Sequence, residues 1–375
     1  MKFSRRIDAE LRPNALTLLL EEKKRRNEEI LDLTESNPTR AGIAYPAGFL
    51  NALSDPRALH YEPEPFGLPS ARETIAREFG APYHRVVLTA GTSEAYSWLF
   101  KLFCDPGDEV LIPRPSYPLF DYLAALEGVS VKSYGLFYDH GWFVDIHTLQ
   151  QAISDRTRAI VVVNPNNPTG NFLKAREWDA LTDFGLPIIS DEVFRDYAFT
   201  PAEEGQDAMP SAPPRVPVFR LNGLSKTVGL PQMKLAWMIA EGPDLLVDSA
   251  LARLEIIADT YLSVGTPVQC AAASLLALRA GVQQQIRART SANLDFLRAS
   301  PLRVLDVEGG WYAIVSLPEA DASLRLLRDY NVLVQPAYFY DFEQSGFLVL
   351  SLLTLPETFR EGVRRVQNLL PPMAQ

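Results

Sequence analysis

Lys226 lies in the run Leu221-Asn222-Gly223-Leu224-Ser225-Lys226-Thr227-Val228-Gly229-Leu230, whose small and apolar neighbours suit the burial and activation of one amine. An amine held that way forms an imine with an aldehyde. Upstream, Asp191 follows the apolar run Leu186-Pro187-Ile188-Ile189-Ser190 and opens Asp191-Glu192-Val193-Phe194. A lone carboxylate at a strand end serves either as a charge partner or as a helix cap. Asn167, inside Asn164-Pro165-Asn166-Asn167-Pro168-Thr169-Gly170, also reads as part of an ordinary turn.

Positioning an amide, a carboxylate and an amine so far apart in sequence requires a scaffold that brings several strand ends together. Short apolar or β-branched runs at 85–88, 109–112, 129–134, 159–163, 187–190 and 216–221 alternate with helical patterns such as 92–103. Several runs are apolar throughout, as strands covered on both faces must be. This predicts an α/β fold with a mostly parallel sheet, in which ligands collect at the carboxyl ends of the strands. From about Pro243 the texture changes to long helical stretches (245–257, 268–278, 283–299) and short strands at 311–317 and 348–352, which predicts a second, smaller α+β domain. The Pro-rich stretch 200–217 reads as a surface excursion.

The 375 residues are 47% hydrophobic and 22% charged, too long for one compact core. A net charge of -10 argues against a nucleic-acid partner. The one dense basic run, Lys23-Lys24-Arg25-Arg26, is flanked by glutamates and reads as the solvated face of a helix. Cys104 and Cys270 are far apart in apolar contexts, which predicts buried free thiols and no metal site. Asp8, Glu10 and Arg12 interrupt the start where a signal peptide needs apolar residues, and no segment reaches membrane-spanning length, so a cytoplasmic protein is expected.

The ordered set Asn167, Asp191 and Lys226 resembles the pyridoxal-phosphate (PLP) aminotransferases of fold type I, class I/II, the aspartate aminotransferase superfamily. The resemblance extends from about Tyr61 to the C-terminal helix. It implies a large PLP-binding domain at 46–243 with its sheet flanked by helices, a small C-terminal domain at 244–375, and an N-terminal segment, 1–45, packing with the small domain. It also implies that Lys226 holds pyridoxal 5'-phosphate as an aldimine and carries the proton from substrate Cα to the cofactor's C4′. Asp191 is then the partner of the pyridine nitrogen, and Asn167 a donor to the ring's 3-oxygen. Tyr117, in Pro113-Arg114-Pro115-Ser116-Tyr117, matches the residue that stacks on the ring, the other reading being a core tyrosine.

Gly91, Thr92 and Ser93, between a strand and a helix, match the phosphate site, with Gly91 permitting the close turn; alone they are a capping sequence. Ser225 and Lys234 add phosphate contacts, Lys234 standing where the family usually has arginine. Tyr61 resembles the tyrosine that reaches the neighbouring subunit's phosphate, although Gly67 lies one residue beyond the usual spacing; the resemblance thus implies a homodimer. Tyr61 otherwise reads as a surface aromatic on Pro63 and Pro65.

Two positions depart from the family. Phe194 replaces a tyrosine that bonds the 3-oxygen, and Val349, in Phe347-Leu348-Val349-Leu350-Ser351, replaces the arginine that forks onto the substrate carboxylate. Asn37 and Arg40, in Ser36-Asn37-Pro38-Thr39-Arg40, are the candidates for substrate contact, with a solvated loop arginine as the other reading of Arg40. Aromatics at Trp311-Tyr312 and Tyr338-Phe339-Tyr340 either line a pocket or belong to the core. The expected reaction moves an amino group between an amino acid or amine and a 2-oxo acid. A PLP lyase or decarboxylase on the same scaffold is the alternative. A regulatory module that keeps PLP without turnover would need a DNA-binding domain, for which the residues before Tyr61 leave no room.

Overall fold

The computed structural model describes residues 3–7, 12–199, 214–317, 319 and 321–371. A short strand, Leu31–Asp32 (β1), precedes the main sheet. That sheet comprises Val86–Thr89 (β2), Glu109–Arg114 (β3), Ser130–Tyr138 (β4), Trp142–Val144 (β5), Thr157–Val163 (β6), Ile188–Asp191 (β7), Val218–Gly223 (β8) and Ala236–Glu241 (β9). Their spatial order is β2-β9-β8-β7-β6-β3-β4-β5. The pairs β8–β7, β7–β6, β6–β3 and β3–β4 are parallel, whereas β9 runs against both its neighbours and β5 forms a hairpin with β4.

Burial on both faces explains the composition of these strands. In β6, Ile160 and Val162 enter one buried cluster with Leu111 and Ile188, while Val161 and Val163 enter another with Val110, Ile112 and Ile189. Helices such as Thr92–Phe103 and Asp244–Tyr261 cover the second cluster. Strand period 2 therefore places apolar residues at every position of β6 from Ala159 to Val163, not at alternate ones.

The smaller sheet orders Arg303–Val304 (β10), Tyr312–Ser316 (β11), Gln335–Pro336 (β13) and Phe347–Ser351 (β14) as β10-β11-β14-β13, all antiparallel. The strand Val332–Leu333 (β12) pairs in parallel with β1. Ser351 donates from its backbone to Leu33 O and from its hydroxyl to Glu35 O, so residues 31–35 lie along β14 and carry the next residue, Ser36, with them.

Several expectations change. The antiparallel β9 and the hairpin strand β5 were not foreseen, and the helix expected at 268–278 is split into Thr266–Cys270 and Ala272–Leu276. Lys23 is not part of a solvated face: it is buried, donating to Glu28 and to Asn331. Cys104 and Cys270 are free but only partly buried. The 200–217 stretch falls for the most part outside the described residues. Among the described residues no helix is long and apolar enough to cross a membrane, and no cluster of His, Cys, Asp or Glu suits a metal ion.

The loop after β6 meets the smaller sheet at Gly170, where φ is +74° and an added Cβ would lie 2.3 Å from Val307 Cγ2 and 2.5 Å from Gly309 O. Gly170→Ala must strain the backbone and push two segments apart. It is expected to destabilise the chain by about 2 kcal/mol or more, read as a lowered Tm. An unchanged Tm would mean that this loop shifts freely.

Candidate active site

β2, β3, β6, β7 and β8 run in one direction, and their carboxyl ends open on a cavity of about 260 Å³. Asp191 is the last residue of β7, and Lys226 lies on the turn Leu224–Thr227 directly after β8. Asn222 fixes that turn: its Oδ1 accepts from Gly223 N at 2.7 Å and from the Thr227 hydroxyl at 2.9 Å, and its Nδ2 donates to Glu192 O. Tyr197 donates its hydroxyl to the Lys226 carbonyl at 2.5 Å. Backbone and side chain of the lysine are thus set by different partners.

Lys226 is open to the cavity only in part, and protein surrounds its amine closely enough that burial lowers its pKa to about 8, against the pull of Asp191. Asp191 is pushed the other way. Burial raises its pKa to about 6, opposed by hydrogen bonds from Val193 N at 3.2 Å and the Tyr96 hydroxyl at 3.0 Å. The adjacent Glu192 faces the opposite side, where Arg220 forks onto it and Arg195 also reaches it. Of the two neighbouring carboxylates, the one in the cavity is held by neutral donors only, among the contacts described.

Two adjacent asparagines divide in the same way. Asn166 accepts from Ser116 and donates to Pro115 O and to Thr169, which fixes the loop. Asn167 lines the cavity with its Oδ1 buried and without a hydrogen-bond partner. A buried amide left so is costly, and the site suits a ligand that supplies the missing contact. Tyr117 lines the cavity too, its ring set edge-on by Phe120 at 5.7 Å.

Thr92, at the start of the helix Thr92–Phe103, and Ser225 line one end. Gly91 has φ 179°, an extended backbone any residue adopts, so the turn does not require glycine. What its missing side chain leaves clear is space: a Cβ there would lie 3.6 Å from the Lys234 ammonium. A helix N-terminus, two hydroxyls and an ammonium together suit a phosphate group. The residues therefore fit PLP on two counts: an anion cradle and a desolvated carboxylate lacking a cation.

The remaining expected residues are placed elsewhere. Gly91, Ser93 and Lys234 border the cavity's end without lining it, and Tyr61 is 76% exposed beside Glu62, Pro63 and Trp98. Asn37 uses its Oδ1 to cap Thr39, and Arg40 is exposed, away from the lining. Phe194 lines the cavity, while Val349 is fully buried in β14 between Ile314 and Gln335. Of the aromatic runs, Tyr312 joins the lining and Tyr338 is 56% exposed.

Sequence reasoning missed Tyr96 and Ser36. Tyr96 follows Thr92 by four residues and shares its helix face, a spacing that points the hydroxyl at the same strand ends. Ser36 lines the cavity together with Tyr312. Among the described lining residues Lys226 is the sole cation.

A family model described as aminotransferase class I and II matches residues 29–366. The chain belongs to the class I and II aminotransferases. This aminotransferase is similar to human tyrosine aminotransferase, at 26% identity over 344 residues covering 85% of this chain and 74% of that one. It is 30% identical over 266 residues to the glutamate-pyruvate aminotransferase AlaA of Escherichia coli K12, covering 67% of this chain and 65% of that one. In structure it matches an aspartate aminotransferase double mutant of Thermus thermophilus with a TM-score of 0.82 and 26% identity, covering 99% of this chain and 100% of that one. An alanine aminotransferase of Pyrococcus furiosus shares the fold, with a TM-score of 0.86 at 24% identity over 98% and 99% of the chains. Members of the family typically use PLP.

Two tests follow from the geometry. Asp191 has a folded-state pKa of about 6, above the ordinary carboxylate value of about 4, so the folded chain holds this proton more strongly than the unfolded one. Stability therefore falls as pH rises through that window. In the cofactor-free aminotransferase, Asp191→Asn is expected to be more stable than wild type at pH well above 6, by about 2–3 kcal/mol, with the gain vanishing near pH 4. A pH-independent difference in Tm would show that burial of charge is not the cause. Separately, exposed Arg40 replaced by alanine should leave KM for amino acids within about twofold. A sharp rise in KM would put Arg40 in contact with substrate.

Proposed function

We propose that this aminotransferase works on pyridoxal 5′-phosphate, with Lys226 as the amine that engages it and as the group that moves the reaction's proton. The observation that carries this reading is the convergence of Lys226, Asp191 and Asn167 on one cavity, where Asn167 would donate from its Nδ2. Bound there, PLP would supply an aldehyde that captures amines and an aromatic sink for the electrons released at the substrate carbon. Thr92, Ser93, Ser225 and Lys234, with the helix N-terminus, would hold the phosphate. Asp191 would hold the proton on the ring nitrogen, Asn167 would bond the ring oxygen, and Tyr117 would cover one face.

Lys226 suits proton transfer because burial brings its amine to a pKa of about 8, where both protonation states are populated near neutral pH. Phe194 has no hydroxyl, so among the lining residues Asn167 is the group assigned to the ring oxygen. We assign the reaction to transfer between an amino acid or amine and a 2-oxo acid. A homodimer is part of this reading: Leu59 (85% exposed) and Tyr61 (76%) stand where a second copy would cover them, and Tyr61 would then extend to the partner's phosphate end.

Reductive trapping tests the assignment. Borohydride treatment of the full chain with PLP is expected to add the cofactor's mass, less the water lost on imine formation and plus two hydrogens from reduction, to the peptide containing Lys226. Lys226→Ala should lose both that adduct and essentially all turnover. An adduct on another lysine, or none, would defeat the reading.

A further inference from the structure

Three aromatic side chains surround Lys226, and they come from two separate stretches. Phe194 and Tyr197 stand on the loop after β7, whereas Trp311 stands immediately before β11. The stretches are joined through their backbones: Gly310 N donates to Tyr197 O at 2.9 Å, and Phe199 N donates to Glu308 O at 2.9 Å. A Cβ on Gly309 would lie 2.9 Å from Tyr197 O, so no side chain can separate them. Trp311 is consequently pressed against both aromatics, 5.2 Å from Phe194 at 68° and 5.0 Å from Tyr197 at 67°.

Lys226 Nζ lies 4.6 Å from the Trp311 ring centroid and 5.2 Å from that of Phe194. Both distances fall within the range of roughly 6 Å over which an aromatic face attracts a cation, tryptophan most strongly. Trp311 is fully buried and its Nε1 has no hydrogen-bond partner, so it meets the amine through its face and not through its polar edge.

We propose that Trp311 is a positioning residue for Lys226: its ring face steadies the ammonium form of the amine, without fixing its proton, when the lysine is not covalently engaged. This goes beyond the assignment of Lys226 as the reacting amine. A carboxylate at the same place would accept the proton in a hydrogen bond and fix it there. A ring attracts the charge and cannot take the proton, which leaves the proton available for delivery into the cavity.

The other groups facing this amine are few. Asp191 approaches from β7 and favours the charged form, and the Tyr117 and Tyr312 hydroxyls line the same space from the loop after β3 and from β11. Tyr197 uses its hydroxyl on the Lys226 carbonyl. Burial opposes the charge, and Asp191 and the ring together limit its effect.

Competitive labelling of the full-length, cofactor-free chain with an amine-reactive anhydride, read by mass spectrometry on the Lys226 peptide across pH, gives the titration midpoint of this one amine. Increasingly fluorinated tryptophan weakens the ring's attraction for a cation without changing its shape. The midpoint is expected to fall with each added fluorine, by about one pH unit at full fluorination. Trp311→Leu should lower it similarly and Trp311→Phe less, and the fluorine dependence should disappear in the Trp311→Phe background. A midpoint constant across the fluorinated series overturns the proposal even if Trp311→Leu fails to fold, because a packing role alone predicts constancy. The readout is a free amine, so it stands or falls independently of whether PLP binds.

Discussion

Everything at the site depends on two opposite charges desolvated in one cavity without a direct hydrogen bond between them. Burial lifts Asp191 to about 6 and brings Lys226 down to about 8, both towards the neutral form. A close ion pair would have shifted each group in the other direction. Asp191 instead accepts from Tyr96 and Val193, neutral donors that hold the carboxylate in place and leave its charge uncompensated. The protein pays for this arrangement in stability, and a cationic ring nitrogen beside Asp191 and a carbonyl beside Lys226 are the two contacts that would relieve it.

The alternation of apolar runs with helical patterns was enough to foresee the parallel core, because strands covered on both faces must be apolar at every position. The strands that escaped are the ones set by antiparallel pairing. β9 is apolar from Ala236 to Ala240 but runs antiparallel, and its pairing depends on the close approach of Gly223 to Ala236, where a Cβ would lie 2.9 Å from Ala236 Cβ. β5 is three residues long and exists through its hairpin with β4. Partners distant in sequence decide both, and periodicity does not carry that information.

At the site, side-chain type was more legible than side-chain duty. Asn166 and Asn167 are identical in kind and adjacent, yet one is consumed by Ser116, Pro115 and Thr169 and the other is left open to the cavity. Gly91 was expected for its backbone freedom; its extended φ shows that this freedom is not used, and a Cβ there would make an ordinary contact with the Lys234 amine at 3.6 Å. Trp311 stood out in the sequence only as an aromatic near Gly309 and Gly310. Its contact with Lys226 requires those two glycines to lie flat against Tyr197 and Ala198, a fact of tertiary packing.

Part of the cavity wall is set by the N-terminal segment. Ser351 of β14 anchors Glu35 O and Leu33 O, which holds the next residue, Ser36, in the lining with Tyr312. Two residues before Ser351, Val349 is sealed in the core, so β14 contributes shape here and no charge. Burial raises the pKa of Tyr312, and Glu35 lies near enough to add to the rise. This wall therefore offers hydroxyls with a carboxylate close by. Hydroxyls can bond an anion, but they do not neutralise it, and Glu35 opposes it. Within one chain, the chemistry of this wall favours a neutral or cationic group over a second carboxylate.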